Sequence, residues 1–236
     1  DYTMRVAEHL GNPKKEKIYN IYSIEEISEM SFSCPNCVLL MKAPNSTQQR
    51  PVLGIPDTKF VLLNDRAKMI TKAPIRVIDL SLLELHNSRT FWDIGACTGS
   101  VSIEARRQYP HLNIQAFEVR EECKDIIRAN ARLHSAPGID LHIGNFLNLP
   151  IAEDAIVDAV FIGGHGGKLK EIICKVASHL DKLKGKIVFN SVSEESNKLF
   201  REAVEENDLK LHSEMNITVD SNNPITILCA TGKYHV

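Results

Sequence analysis

Three stretches of the chain end an apolar run on a residue able to hold a ligand. The first is F-W-D-I-G-A-C-T-G-S, residues 91–100, where Asp93 closes the run and a small-residue loop leads to a helix start near Gly99. Gly95 and Gly99 lack a Cβ, so backbone there can approach a ligand and take positive φ. The free N–H groups and dipole of the following helix favour negative charge. The second stretch, N-I-Q-A-F-E-V-R, ends its apolar run at Glu118. A carboxylate in that place can accept hydrogen bonds from both hydroxyls of a ribose. The third, I-G-N-F-L-N-L-P, offers the Asn145 amide to a purine edge and the Phe146 ring to its face. Asn145 reads equally well as a turn residue after Gly144.

Two phosphate-binding loops do not fit. Cys97 and Ser100 stand at the second and third glycine positions of G-x-G-x-x-G, and no Gly-Lys-Ser/Thr follows as in a P-loop. The spacing D-x-G-x-x-x-G-S is instead similar to the D-x-G-x-G-x-G loop of S-adenosylmethionine-dependent methyltransferases. Their ligand is a nucleoside carrying an amino acid and a sulfonium, with no phosphate.

A fourth loop, F-I-G-G-H-G-G, sets Gly163, Gly164, Gly166 and Gly167 around His165. The glycines let a flat ligand lie against backbone. His165 reads as a substrate contact or proton carrier near neutral pH, or as an exposed loop histidine. The chain lacks the Asn/Asp-Pro-Pro-Tyr/Phe cluster usual in methyltransferases that act on base amino groups. In T-K-A-P-I-R, Lys72 and Arg76 lie one helical turn apart and can point at one anion. Lys168 opens the helix after the glycine loop and fits a solvated face as well as a ligand. Asn190 closes an apolar run at the same sheet edge.

These residues need a scaffold that brings strand ends together. Strands are expected at 90–94, 113–118, 140–144, 157–162 and 186–190, with helices at about 99–108, 120–134, 167–183 and 193–207. Regular alternation implies an α/β fold, a mostly parallel sheet with helices on both faces, and ligands at the carboxyl ends of its strands. Two further strands, L-K-L-H-S-E-M-N-I-T-V and P-I-T-I-L-C-A-T-G, follow in succession and predict an antiparallel pair. Before the alternating region, an amphipathic helix from Pro74 carries Ile75, Ile78, Leu82 and Leu85. Residues 1–45 read as a separate piece: M-R-V-A-E-H-L as a helix, K-I-Y-N-I-Y as a strand, S-I-E-E-I-S-E-M as a helix capped by Ser23, and C-V-L-L-M-K-A as a strand. The polar run P-N-S-T-Q-Q-R-P reads as part of a linker over 46–59, with the main domain at 60–236.

Composition limits the classes. The 236 residues are 43% hydrophobic and 25% charged with net charge −2, which gives no basic field for nucleic acid. No apolar run reaches the roughly 18 to 20 residues of a membrane span. The chain begins at Asp1 without Met and without a signal pattern, and is expected to be a piece of a longer one. The six cysteines fit a reducing cytoplasm better than a disulfide framework. Cys34 and Cys37, in C-P-N-C, lack a second ligand pair and read as a turn into a strand, so no metal is expected.

The ordered set T-K-A-P-I-R, F-W-D-I-G-A-C-T-G-S-V-S-I-E-A, F-I-G-G-H-G-G and G-K-I-V-F-N-S-V-S-E-E-S resembles the decarboxylating precorrin-6B (precorrin-6Y) methyltransferases of corrin biosynthesis. Typical members show T-K-x-x-x-R, W-D-[IV]-G-A-G-[ST]-G-S, G-G-S-G-G and N-A-V-T-x-E, and the likeness covers about residues 54–236. Residues 1–45, through E-H-L-G-N-P-K-K-E-K-I, resemble the carboxyl-terminal end of the tetrapyrrole methylase domain that some members carry upstream. The resemblance implies S-adenosylmethionine as cofactor, strand order 3-2-1-4-5-7-6 with strand 7 antiparallel, a homo-oligomer of four chains, and no nucleic-acid or membrane partner. It implies methylation at C15 of a precorrin-type tetrapyrrole with loss of CO2 from the ring C acetate. Cofactor contacts are then expected from Thr71, Asp93, Gly95, Ala96, Cys97, Gly99, Ser100, Glu118, Asn145, Phe146 and Gly163. Substrate contacts are expected from Lys72, Arg76, Gly164, His165 and Lys168, and catalytic roles for His165 and Asn190. Three departures stand out: Cys97 in place of the middle glycine, His165 in place of serine, and Ser191 and Ser193 where alanine and threonine are common. Other readings of the residues remain: a methyltransferase for another small molecule, RNA or protein, an NAD oxidoreductase, or a cofactor-binding domain without catalysis.

Overall fold

The computed structural model describes residues 2–42, 53–66, 69–220 and 223–234. The chain divides into two units, Asp1–Arg50 and Pro51–Val236.

The first unit is a three-stranded antiparallel sheet. Strand β1 (Tyr2–Glu8) lies between β2 (Lys17–Ile21) and β3 (Asn36–Lys42). The expected helix over M-R-V-A-E-H-L is therefore a strand: pairing on both edges, Val6 against Tyr19 and against Val38, overrides the weak helical periodicity. Helix α1 (Ile24–Ser28) is capped as expected, with the Ser23 hydroxyl accepting from the Glu26 N–H. Cys34 and Cys37 are exposed free thiols, and Cys37 lies in β3.

The second unit holds a seven-stranded sheet. Its strands are β4 (Thr90–Ile94), β5 (Asn113–Glu118), β6 (Ile139–Ile143), β7 (Ala159–Ile162), β8 (Lys186–Ser191), β9 (Leu209–Ile217) and β10 (Ile225–Gly232). Their order is β6-β5-β4-β7-β8-β10-β9, parallel except that β10 pairs antiparallel with both β8 and β9. Numbered within this unit alone, the order is 3-2-1-4-5-7-6. Helices α2 (Ala73–Leu82), α3 (Ser100–Gln108), α4 (Cys123–Leu133), α5 (Leu169–His179) and α6 (Glu194–Glu206) accompany the sheet. Strands buried on both faces read as near-continuous apolar runs, and A-V-F-I of β7 is buried at every position. One core cluster joins Trp92, Phe117, Val160 and Ile187 to Ile173 and Phe200 of α5 and α6. Another joins Phe91, Phe161 and Val188 to Ile75 and Leu80 of α2.

Residues 53–59, expected within the linker, pack instead on the second unit. Ile55 is buried, and Gly54 and Ile55 donate their N–H groups to Glu104 of α3. The polar run before them lies outside the described residues. Leu85 falls beyond α2, in a turn entered through Glu84 at φ +48°. No helix among the described residues is long and apolar enough to cross a membrane.

Candidate functional site

A cavity of about 920 Å³ opens at the carboxyl ends of β4, β5, β7 and β8. That is the large end of the ~300–1,000 Å³ usual for ligand pockets. The loop after β4 forms its floor. Gly95 (φ +79°) lets this loop touch the loop after β7, since a Cβ there would lie 2.5 Å from the Gly164 nitrogen. Gly99 serves packing: its absent Cβ would meet Ile127 at 3.0 Å, and it does not line the cavity, contrary to its expected cofactor contact. Ser100 begins α3 and lines the wall, with Ala96, Cys97 and Thr98.

Asp93 caps the next helix. Its Oδ2 accepts from the Ser102 N–H at 3.1 Å and the Ser102 hydroxyl at 2.6 Å, while Oδ1 is buried without a donor. Burial pushes its pKa to about 6, against the pull of Ser102, so it is ionised at neutral pH. Glu118 is also buried and has both oxygens engaged. Oε1 accepts from the Arg120 N–H at 3.0 Å and Nε at 2.7 Å; Oε2 accepts from the Cys97 N–H at 2.8 Å and Arg120 Nη2 at 3.1 Å. Burial pushes its pKa up, but the hydrogen bonds from Arg120 and Cys97 outweigh it and hold the carboxyl below its ordinary value.

Cys97 adopts φ +52°, a left-handed conformation that glycine takes without strain. Its side chain joins Ala116, Cys123 and Ile127 in a small apolar cluster, and burial raises its thiol pKa. Asn145 is exposed and spends its Oδ1 on the Leu147 N–H at 3.1 Å, as the turn reading expects. Phe146 borders the cavity but is 5% exposed, packed edge-on against Trp92 and Phe117. Lys175 Nζ pins that turn by donating to the carbonyls of Phe146, Leu147 and Leu149.

The other half of the cavity is lined by His165, Asn190, Val192, Asn223 and Ile225, with Lys72 and Lys168 also on the wall. His165 Nδ1 accepts from the Gly167 N–H at 3.2 Å, which leaves the proton on Nε2. Burial lowers its pKa, so the ring is neutral at pH 7. Gly163 and Gly164 line the wall beside it, and exposed Lys168 is ion-paired with Glu171 at 3.1 Å. Thr71 lines the wall and gives its carbonyl to Arg76.

Arg76 is not a ligand for substrate. It is fully buried, with Nε on Glu104 at 2.6 Å, Nη1 on Asp57 at 2.8 Å, and Nη2 on the Ile55 carbonyl. Lys72 lies just before α2 rather than on it, 3.5 Å from Asp57, so the expected shared helical face is absent.

Two residues escaped the sequence reading. Arg120 follows Glu118 by two positions, and its charge next to a strand-end acid is a legible sign. Asp79 lies four residues after Ile75 on the buried side of α2, a carboxylate in an apolar stripe. It is fully buried and accepts from Asn190 Nδ2 at 2.8 Å. No group of three or more metal-binding side chains occurs among the described residues.

The precorrin methyltransferase domain family matches residues 63–228. The cobalt-precorrin-6B C(15)-methyltransferase (decarboxylating) of Salmonella typhimurium is 35% identical over 127 residues, which is 54% of this chain and 64% of that protein. The chain thus spans a little under two thirds of that relative's length. The probable cobalt-precorrin-6B C(15)-methyltransferase (decarboxylating) of Thermoplasma volcanium is 32% identical over 152 residues, 64% of this chain and 72% of the relative. Among solved structures, the precorrin-6y C5,15-methyltransferase from Geobacter metallireducens GS-15 superposes with a TM-score of 0.69 at 33% identity, covering 78% of this chain and 100% of that one.

Proposed function

Because the chain belongs to the precorrin methyltransferase domain family, we propose that it methylates C15 of a precorrin-6B-type tetrapyrrole and releases CO2 from the ring C acetate. S-adenosylmethionine, when bound, supplies a methyl group from its sulfonium to an electron-rich ring carbon. The wall fits that cofactor: the unpartnered Asp93 Oδ1 is a buried acceptor that a ligand donor would satisfy. Glu118 would take the ribose hydroxyls, with Arg120, 30% exposed at its side chain, giving way or sharing. Gly95, Ala96, Cys97, Ser100 and Gly163 would hold it through backbone and small side chains, and Asn145 and Phe146 would border the base.

The chain's own work is positioning and exclusion of water. Lys72 and Lys168 would meet the peripheral carboxylates of the macrocycle. The Nε2–H of His165 is a donor toward substrate rather than a base. Loss of CO2 breaks the bond from the acetate methylene and leaves its electron pair in the ring system, where it offsets the positive charge brought by the transferred methyl group; the methylene becomes a methyl by taking a proton from water as the ring returns one. No strong base is needed at any point.

The observation that carries this reading is the ionised, buried Glu118 beside the Gly95–Cys97 loop, on a cavity with a second half that the nucleoside does not need. Mass spectrometry of a precorrin-6B-type substrate incubated with protein and cofactor tests it. The expected product has gained a methyl group and lost CO2; an unchanged mass refutes the reading. The assignment of residues 1–45 to the tail of a tetrapyrrole methylase domain is supported by sequence likeness, as is a homo-oligomer, which light scattering checks.

A further inference from the structure

Lys175 stands on α5 behind the turn that follows β6, and all three protons of its ammonium are spent on that turn. Nζ donates to the carbonyls of Phe146 at 2.8 Å, Leu147 at 3.2 Å and Leu149 at 2.8 Å, and lies 5.0 Å from the centre of the Phe146 ring. No backbone N–H among the described residues donates to any of these carbonyls. The front of the turn is held differently. Asn145 O accepts from the Asn148 N–H at 2.8 Å and the Leu149 N–H at 3.2 Å, and Asn145 Oδ1 accepts from the Leu147 N–H at 3.1 Å. That last bond turns Oδ1 toward the backbone and leaves Nδ2 without an acceptor among the described residues. Asn145 is exposed and lines the cavity with Phe146 and with Ile172, one turn before Lys175 on α5.

Without the ammonium, three part-buried carbonyls on one turn have no donor, and the turn must move to find water. The NH2 group of Asn145 moves with it, because its oxygen is tied to the same turn. We propose that Lys175 is the positioning residue of the cofactor's base subsite: by fastening the back of the turn, it holds the Asn145 NH2 group where it donates to a purine ring nitrogen. This rests on the S-adenosylmethionine reading, which puts a purine on this side of the cavity. The arrangement carries a preference. Adenine has a bare acceptor at N1, whereas hypoxanthine has an N–H there. A donor held in place takes the first and meets the second proton to proton; a donor free to wander does not discriminate.

Calorimetry with two probes tests this: S-adenosylhomocysteine and S-inosylhomocysteine, which differ at the base alone. Wild type is expected to bind the first about tenfold more tightly, the worth of one hydrogen bond. Lys175→Met keeps the apolar stem and loses the charge. It is expected to weaken S-adenosylhomocysteine about tenfold and leave S-inosylhomocysteine within about twofold, which closes the gap. Lys175→Arg still donates to carbonyls and is expected to restore the preference. Asn145→Ala, on the exposed side of the same turn, is expected to close the gap as Lys175→Met does. Loss of fold is read apart from this, since it lowers the number of molecules bound per chain and leaves the ratio of the two affinities unchanged. Equal weakening of both probes in Lys175→Met, a gap that survives Asn145→Ala, or a wild type without preference overturns the proposal and leaves the cofactor reading standing. A wild type that binds neither probe overturns both.

Discussion

The cavity has two walls, each backed by a buried acid, and the acids are in opposite states. Glu118, on the β5 side, receives four hydrogen bonds, three of them from Arg120, and stays ionised. Asp79, behind β8, receives one bond from a neutral amide and is protonated up to about pH 8. Burial raises both; the difference is the partner. A cation within reach makes a fixed acceptor, suited to a diol. A neutral partner leaves the acid titratable.

The largest way to disturb this arrangement lies beneath both walls. Arg76→Ala strips a buried carboxylate, Glu104, of its guanidinium and frees the 53–60 segment. Urea denaturation is expected to show a loss of about 3–5 kcal/mol; a loss below about 1 kcal/mol would mean that Arg76 is free to serve as a ligand. Next is the pH dependence of stability. Asp79 ionises near 3.8 when unfolded and about 8 when folded, so the native state holds the extra proton between those values and loses stability as pH rises across them. Asp79→Asn cannot titrate. Its stability relative to wild type should therefore improve as pH rises from 4 to 8, by up to about 1.4 kcal/mol for each pH unit. Denaturation curves at several pH values read this directly.

On the other wall, Glu118→Ala should weaken S-adenosylhomocysteine by on the order of 10- to 100-fold in calorimetry, the worth of hydrogen bonds to a charged acceptor. Glu118→Gln should lose less. The smallest effect belongs to Cys97→Gly. Glycine relieves the positive φ and keeps the N–H that Glu118 accepts, but it removes a buried sulfur. Stability is expected to change by no more than about 1 kcal/mol, with cofactor affinity within a few-fold.

The fold is largely legible in the sequence because the parallel strands are buried on both faces and their loops carry small residues at the carboxyl ends. The order 3-2-1-4-5-7-6 comes from the likeness and agrees with the sheet. Local pattern fails at Tyr2–Glu8, where seven residues satisfy both periods and only the flanking strands decide. It fails again at Arg76, whose spacing from Lys72 is right for a shared face but whose partner, Glu104, lies 28 residues away. A charge partner that distant in sequence leaves no periodic trace. Asp79 is the opposite case: its interruption of an apolar stripe is visible in the sequence, but its partner Asn190 is 111 residues away and gives the acid no meaning until the sheet is formed.

The most direct measurement is a crystal structure of this chain with S-adenosylhomocysteine bound. The account predicts both ribose hydroxyls on the Glu118 carboxylate, Arg120 moved or sharing it, and the β8 side left open around Asn190. A nucleoside lodged against Asn190, with Glu118 still closed by Arg120, would contradict it.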